Sequence, residues 1–130
     1  MVNSKRGREK INDITEHVIG CAFKVINSLG SGFVEKVYEN ALVHELRKEG
    51  LEVVQQHRVQ VHYDHVVVGH VVADLLVEER VLVELKAVNE LQDLQTAQAL
   101  NYLKATSLKA CLLLNFGRPK LEIKRLAHNF

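Results

Sequence analysis

Between Ala73 and Lys86 the chain reads Ala-Asp-Leu-Leu-Val-Glu-Glu-Arg-Val-Leu-Val-Glu-Leu-Lys. An aspartate interrupts one apolar run, and a glutamate and a lysine two residues apart interrupt the next. Residues two apart on a strand face the same side, so Glu84 and Lys86 project together. A tight hairpin turning at residues 78–80 would bring Asp74 alongside them. Two carboxylates and an ammonium in one place suit metal-assisted phosphodiester hydrolysis. Two hard oxygen ligands hold Mg²⁺ or Mn²⁺, with waters and a substrate phosphate completing the shell. The metal polarises the phosphoryl oxygen and lowers the pKa of a bound water. The lysine orients that water or stabilises charge developing on the phosphate. The same spacing also describes an ordinary cross-strand salt bridge on a wet sheet face. Spacing alone does not separate the two.

The elements that must position these residues follow from periodicity. Residues 1–10 hold Lys5, Arg6, Arg8 and Lys10 and almost nothing to pack, which reads as a flexible basic arm before a single domain over residues 11–130. Ile14, Val18, Cys21, Val25 and Leu29 recur at helical steps, with Asn12 or Asp13 as a cap and Gly30-Ser31-Gly32 as the stop. A second helix is expected from about Val34 to Glu49, ended by Gly50. Strands are expected over Val53–Tyr63, over Val66–Glu78 with a bend at Gly69, and over Val81–Val88. Leu91–Ala105 returns to helical spacing. Lys109–Phe116 is nearly continuous apolar, as in a strand buried on both faces, and Lys120–Leu126 forms a last strand. The order is α-α-β-β-β-α-β-β, an α/β fold around a mixed β-sheet flanked by helices.

Composition excludes several classes. The chain has 130 residues, 17 Lys and Arg against 16 Asp and Glu, and one Pro. That length predicts one domain with a real core and leaves no room for a separate cofactor domain. A net charge of +1 argues against a binder working by bulk positive charge. The balance is uneven, however. Residues 1–10 and 118–130 each carry four basic and one acidic side chain, and the span between them is net −5. Cys21 and Cys111 sit in apolar runs with no second Cys at metal-ligand spacing, which favours free thiols in a reducing cytoplasm. No secretory h-region follows Met1–Lys10, and no apolar stretch approaches a membrane span. His57, His62, His65 and His70 crowd the first hairpin, but four zinc ligands at defined spacing are lacking, so exposed histidines are expected there.

Asp74 followed by Glu84-Leu85-Lys86 resembles the signature of the PD-(D/E)xK, or restriction-endonuclease-like, nuclease superfamily, with Ala73 in place of the motif's proline. Gly32-Phe33-Val34-Glu35-Lys36-Val37-Tyr38 resembles the G-x-x-E-x-x-Y signature of a small bacterial family placed in that superfamily. The similarity continues through Asn101–Thr106 and Leu113–Gly117. The resemblance implies a metal-dependent nuclease with Asp74, Glu84 and the Leu85 backbone carbonyl on Mg²⁺ or Mn²⁺, and Lys86 acting on the water. Glu35 shares a helical face with Tyr38 and Leu42 and matches the helix acid that completes the superfamily's metal site. As a first-turn glutamate it is also favoured by the helix dipole whatever its role. Gln98 and Tyr102, four apart, resemble the Q-x-x-x-Y element of phage-exonuclease-like and RecB-like nucleases, which implies a place on the substrate side. They would otherwise be a boundary polar residue and a core aromatic.

Phosphate-backbone contacts are expected from Lys5, Arg6, Arg8 and Lys10 and from Lys124 and Arg125. The implied partner is nucleic acid, DNA ahead of RNA. A lone domain this small has little surface to wrap a duplex, which points to a homodimer or a partner protein. The competing reading is a catalytically idle module of the same fold, acting in nucleic-acid binding or protein assembly.

Overall fold

The structure is a computed structural model that describes residues 4–130, with side chains from Gly7 onward. Its elements are α1 (Ser4–Leu29), α2 (Glu35–Lys48), β1 (Val53–Tyr63), β2 (Val66–Val77), β3 (Val81–Lys86), α3 (Asp93–Lys104), β4 (Ala110–Asn115) and β5 (Glu122–Ala127). The expected order holds, and the first helix starts about two turns earlier than its expected cap. Lys, Arg and Glu are good helix formers, and Gly7 lowers helicity without stopping it. The polar segment read as an arm is therefore helical from Ser4. Met1 to Asn3 lie outside the described residues, as do the side chains of Lys5 and Arg6.

The apolar stripe of α1 packs Ile11, Ile14, Val18, Cys21, Ala22, Val25 and Ile26 into the core. The helix stops where expected: Gly30 takes φ +70° and donates its N–H to the Ile26 carbonyl at 2.8 Å. Helix α2 ends in the same way at Gly50, with φ +83°.

The five strands lie in chain order, β1-β2-β3-β4-β5. β3 and β4 are parallel, joined across α3, and the other neighbours are antiparallel. The sheet is thus mixed, with helices on both faces, which is the restriction-endonuclease-like arrangement that the resemblance implies. Leu75, Val77, Val83, Leu85, Leu112 and Leu114 face α1 and α2. Leu76, Leu82, Cys111 and Leu113 face Ala99 and Leu103 of α3. Being covered on both sides, β4 is buried along its length, as its unbroken apolar sequence predicts. Cys21 and Cys111 are free and buried. Among the described residues no helix is long and apolar enough to cross a membrane.

The β1–β2 hairpin outgrows the rest of the sheet. β2 pairs with β1 from Val66 to Val77, but with β3 only over Leu75–Val77. Its register slips between Val61 and His62, leaving Val68 unpaired beside Gly69, where the bend was expected. Beyond Asp74 the two strands therefore run on as a free ribbon. That departure of β2 from β3 creates the space described next.

Candidate active site

The β2–β3 ladder ends at Leu75↔Val83. Continued by one residue, it would pair Asp74 with Glu84, and there the strands part. Each carboxylate takes over a backbone donor of the opposite strand: Asp74 N–H donates to Glu84 Oε2 at 2.7 Å, and Leu85 N–H to Asp74 Oδ2 at 2.8 Å. The fork thus fixes both side chains while committing one oxygen of each. A strand residue's N–H and C=O point to the same edge, so the Leu85 carbonyl faces this opening too. Lys86 directs its own carbonyl the other way, to Phe116 N–H at 2.8 Å.

The electrostatics are those of a site short of positive charge. Glu84 is only 6% exposed. Burial first, and then the charge of Asp74, push its carboxyl up to about 8. Asp74 is also raised, chiefly by burial, with the Leu85 N–H bond working against the shift. The charge of Lys86 works against the rise in both carboxyls, as it does in Glu35. Yet among the described residues no ion pair within 4.0 Å includes Lys86, Asp74, Glu84 or Glu35. An ordinary structural salt bridge would have closed that gap. These groups are gathered without closing a salt bridge among them.

Glu35 reaches the cluster from the first turn of α2, and the loop before it explains the spacing of Gly32, Glu35 and Tyr38. Gly32 takes φ +116°, a backbone that residues with a Cβ rarely adopt. The buried Tyr38 hydroxyl donates to the Gly30 carbonyl at 2.6 Å and accepts from Phe33 N–H at 3.1 Å. Its ring stacks on Phe116 with centroids 4.9 Å apart. Tyr38 therefore pins the α1–α2 loop to the sheet and aims the start of α2. Glu35 is half-buried, and its carboxyl is raised by burial first and then by Asp74. Tyr38→Phe should cost about 1 kcal/mol, read as a lower urea midpoint at unchanged m-value, because two partly buried backbone groups lose their partner.

On the opposite side of the sheet, Tyr102 is close enough to Glu84 and Asp74 for both, after burial, to raise its phenol. Tyr102 and Gln98 line one cleft of about 630 Å³ between α3 and the hairpin residues Val61 and Val71. The two thus share a face, and Tyr102 is the one that feels the carboxylates.

Of the described basic residues expected to meet phosphate, Lys124 alone lies on the α3 side. Lys10 lies with Glu52, Glu78, Glu79 and Arg80, at the end of β3 opposite Lys86. Along α1, Lys10 and Leu29 are separated by roughly 28 Å at 1.5 Å per residue, and Glu35 follows Leu29. Arg8 is exposed, about half a turn further out along α1. Lys124 and Arg125 are adjacent on β5 and so point to opposite faces. Lys124 Nζ meets Thr96 Oγ1 at 3.3 Å on the α3 side. Arg125 bonds Asn12 Oδ1 of α1 and lies over the Phe130 ring at 5.0 Å. The expected C-terminal pair is therefore not one patch. Of the four hairpin histidines, His62, His65 and His70 are exposed, as expected, and His57 is half-buried.

Two sets of residues escaped the sequence reading. Asn115, fully buried, uses its whole amide: Oδ1 accepts from Val88 N–H at 3.0 Å and Gly117 N–H at 2.9 Å, and Nδ2 donates to the Val88 carbonyl at 2.9 Å and Glu122 Oε1 at 2.7 Å. This clamp ends β3 at Lys86 instead of the expected Val88 and fixes the chain leaving the site. It also requires glycine at 117, where a Cβ would sit 2.2 Å from Val88 N and O. Gly117→Ala should therefore lower stability by about 2 kcal/mol or more, read from its thermal midpoint. Glu39 of α2 is the other. It is a carboxylate 3% exposed that takes amide bonds from both Gln55 and Gln56, and Lys36 Nζ at 3.1 Å.

The donor set fits a hard divalent cation. Asp74 and Glu84 each keep one carboxylate oxygen outside the fork, and the Leu85 carbonyl faces the same opening. Mg²⁺ takes one or two carboxylates and keeps several waters. Among the described residues, no three His, Cys, Asp or Glu side chains form a cage able to hold an ion by themselves. A third carboxylate ligand is thus not preformed.

A family profile described as the PD-(D/E)XK nuclease superfamily matches residues 12–126, which takes in every element of the sheet, α2 and α3. The chain belongs to this superfamily. No curated protein and no solved structure matches it.

Proposed function

We propose that this protein is a metal-dependent nuclease that hydrolyses nucleic-acid phosphodiester bonds at Asp74, Glu84 and Lys86. The observation that carries the reading is the fork at the end of the β2–β3 ladder, where two carboxyl groups and a lysine are gathered with no salt bridge among them. Membership of the nuclease superfamily supports it, and the Gly32, Glu35 and Tyr38 arrangement supports a place in its GxxExxY branch. Asp74, Glu84 and the Leu85 carbonyl would hold Mg²⁺ or Mn²⁺. When bound, the ion supplies charge for the phosphoryl oxygens and a more acidic water. Lys86 orients that water and offsets charge gathering on the phosphate. Water oxygen bonds to phosphorus, the bond from phosphorus to the departing sugar oxygen breaks, and that oxygen leaves with a proton. Glu35 acts through a water. Gln98 and Tyr102 line the substrate side, and Lys124, on their face of the sheet, meets backbone phosphate. The basic start of α1 touches nucleic acid only well away from the reacting phosphate. Buried free thiols suit a reducing cytoplasm.

Single- and double-stranded DNA and RNA incubated with Mg²⁺ or Mn²⁺ test this reading. Cleavage abolished by chelator is expected, with DNA cut in preference to RNA. Salt-sensitive binding with no cleavage of any substrate would instead identify a binding module that has kept the fold.

A further inference from the structure

The β1–β2 ribbon leaves the sheet at Asp74. Gln55 pairs with Leu75 and His57 with Ala73, so Gln56, in left-handed backbone at φ +55°, stands across from Asp74 where the ribbon begins. Beyond that point Arg58 pairs with Val72, and Gln60 with His70. At about 3.3 Å per residue these pairs lie roughly 7 and 13 Å along β2 from Asp74. A duplex strand rises about 3.4 Å per nucleotide, so that span matches roughly two to four nucleotides.

The cleft that holds Gln98 and Tyr102 also holds Lys104 and Ala105. A second groove, of about 610 Å³, adjoins it: Ala105 lines both, and His57, Arg58, Gln60, His62 and His70 line the groove from the ribbon. No step of the proposed reaction uses these imidazoles. Among the described residues no carboxylate lines either cavity, although residues 11–117 are net −5. Nor, among the described residues, does an ion pair within 4.0 Å engage Arg58, His57, His62 or His70. Arg58, His62 and His70 are exposed. A guanidinium presents a planar fork of donors that matches phosphate oxygens, and an imidazole offers an N–H in either charge state. Cationic and N–H donor groups, free of competing carboxylates, suit a chain of phosphates.

We propose that this groove is a phosphate-backbone track for the substrate: Arg58, His62 and His70 hold backbone phosphates on one side of the cut, and the adjoining cleft leads the strand toward the carboxylates. The inference rests on the nuclease reading for the nature of the ligand. It puts the backbone contact on the hairpin, on the strand that carries Asp74, and not on the chain's basic ends.

The test compares wild type with four full-length variants: Arg58→Ala, Arg58→Lys, His62→Ala combined with His70→Ala, and Arg80→Ala. Arg80→Ala removes an exposed cation beside Lys10, away from the groove. All the replaced side chains are exposed, so thermal midpoints should stay within about 5 °C of wild type. Binding of labelled single- and double-stranded DNA is read by fluorescence anisotropy in chelator over a range of salt, and KM and kcat for cleavage are read in Mn²⁺. Arg58→Ala should bind roughly tenfold more weakly, with a salt slope smaller by about one, and should raise KM more than it lowers kcat. Arg58→Lys should keep the wild-type slope with part of the loss in affinity. The double histidine variant should bind at least about threefold more weakly, and Arg80→Ala within about twofold of wild type. Wild-type affinity in both Arg58→Ala and the double histidine variant, or an equal loss in Arg80→Ala, overturns the track, while cleavage by the wild type keeps the nuclease reading. Groove-dependent binding without cleavage of any substrate keeps the track and overturns the nuclease reading. A wild type that neither binds nor cuts DNA overturns both.

Discussion

Glu84→Gln should make the metal-free protein more stable at pH 8 and leave it nearly unchanged at pH 5. The folded-state carboxyl of Glu84 lies at about 8, raised by burial and by Asp74 from an ordinary 4.5. Between those values the folded protein retains a proton that the unfolded chain has released. Stability therefore falls as pH rises through that window, and the effect is complete only above the folded value. With the side chain 6% exposed, the accumulated cost is roughly 2–4 kcal/mol at pH 8. Glutamine removes the titrating charge and still offers an oxygen to Asp74 N–H. Scanning calorimetry should show a gain on the order of 10 °C at pH 8, shrinking toward zero at pH 5. The same chemistry makes metal binding pH-dependent, since an ion must displace the proton from Glu84. Mn²⁺ affinity of the wild type should rise between pH 6 and 8, by up to about tenfold per pH unit.

Asp74→Ala should abolish metal-dependent cleavage, with a fall in kcat/KM of about a thousandfold or more at saturating Mn²⁺. The aspartate has two duties, offering one oxygen to the ion and accepting Leu85 N–H with the other. Alanine removes a ligand and frees the strand that carries Glu84 and Lys86. Asp74→Asn separates these duties: it can still accept from Leu85 N–H, so the fork stays closed, but it brings no charge. Equal loss in both variants, at thermal midpoints no lower than wild type for Asp74→Asn, would assign the effect to the ion and not to the fold. Relief of the repulsion on Glu84 should also bring the Glu84 carboxyl down in both.

The carboxylate pair was legible because it depends on little. Two apolar runs, a turn of known reach and a period of two suffice to set Asp74 opposite Glu84, one step beyond the last paired residues, Leu75 and Val83. The helices were legible from their stripes, and their ends from Gly30 and Gly50. What escaped was long-range or conformational. Residues 4–10 have no apolar stripe to announce a helix, and intrinsic propensity carries one there. β3 stops at Lys86 because Asn115, far along the chain, captures both polar groups of Val88. Glu39 looks like any surface glutamate of an amphipathic helix until β1 crosses it, and left-handed Gln56 has no signature in its residue type. The basic residues were legible as charges but not as positions. Grouped by charge they suggested a common role, but helix length separates Lys10 from the site and strand alternation separates Lys124 from Arg125.

Lys86→Ala tests the central claim most directly, because it removes the proposed chemical group while leaving both carboxylates in place. Wild type and variant should be compared in one experiment for Mn²⁺ binding and for cleavage of the best DNA substrate. The account predicts that Lys86→Ala still binds Mn²⁺, within about tenfold of wild type, and cleaves at least about a hundredfold more slowly. Cleavage at the same rate by both proteins would contradict it.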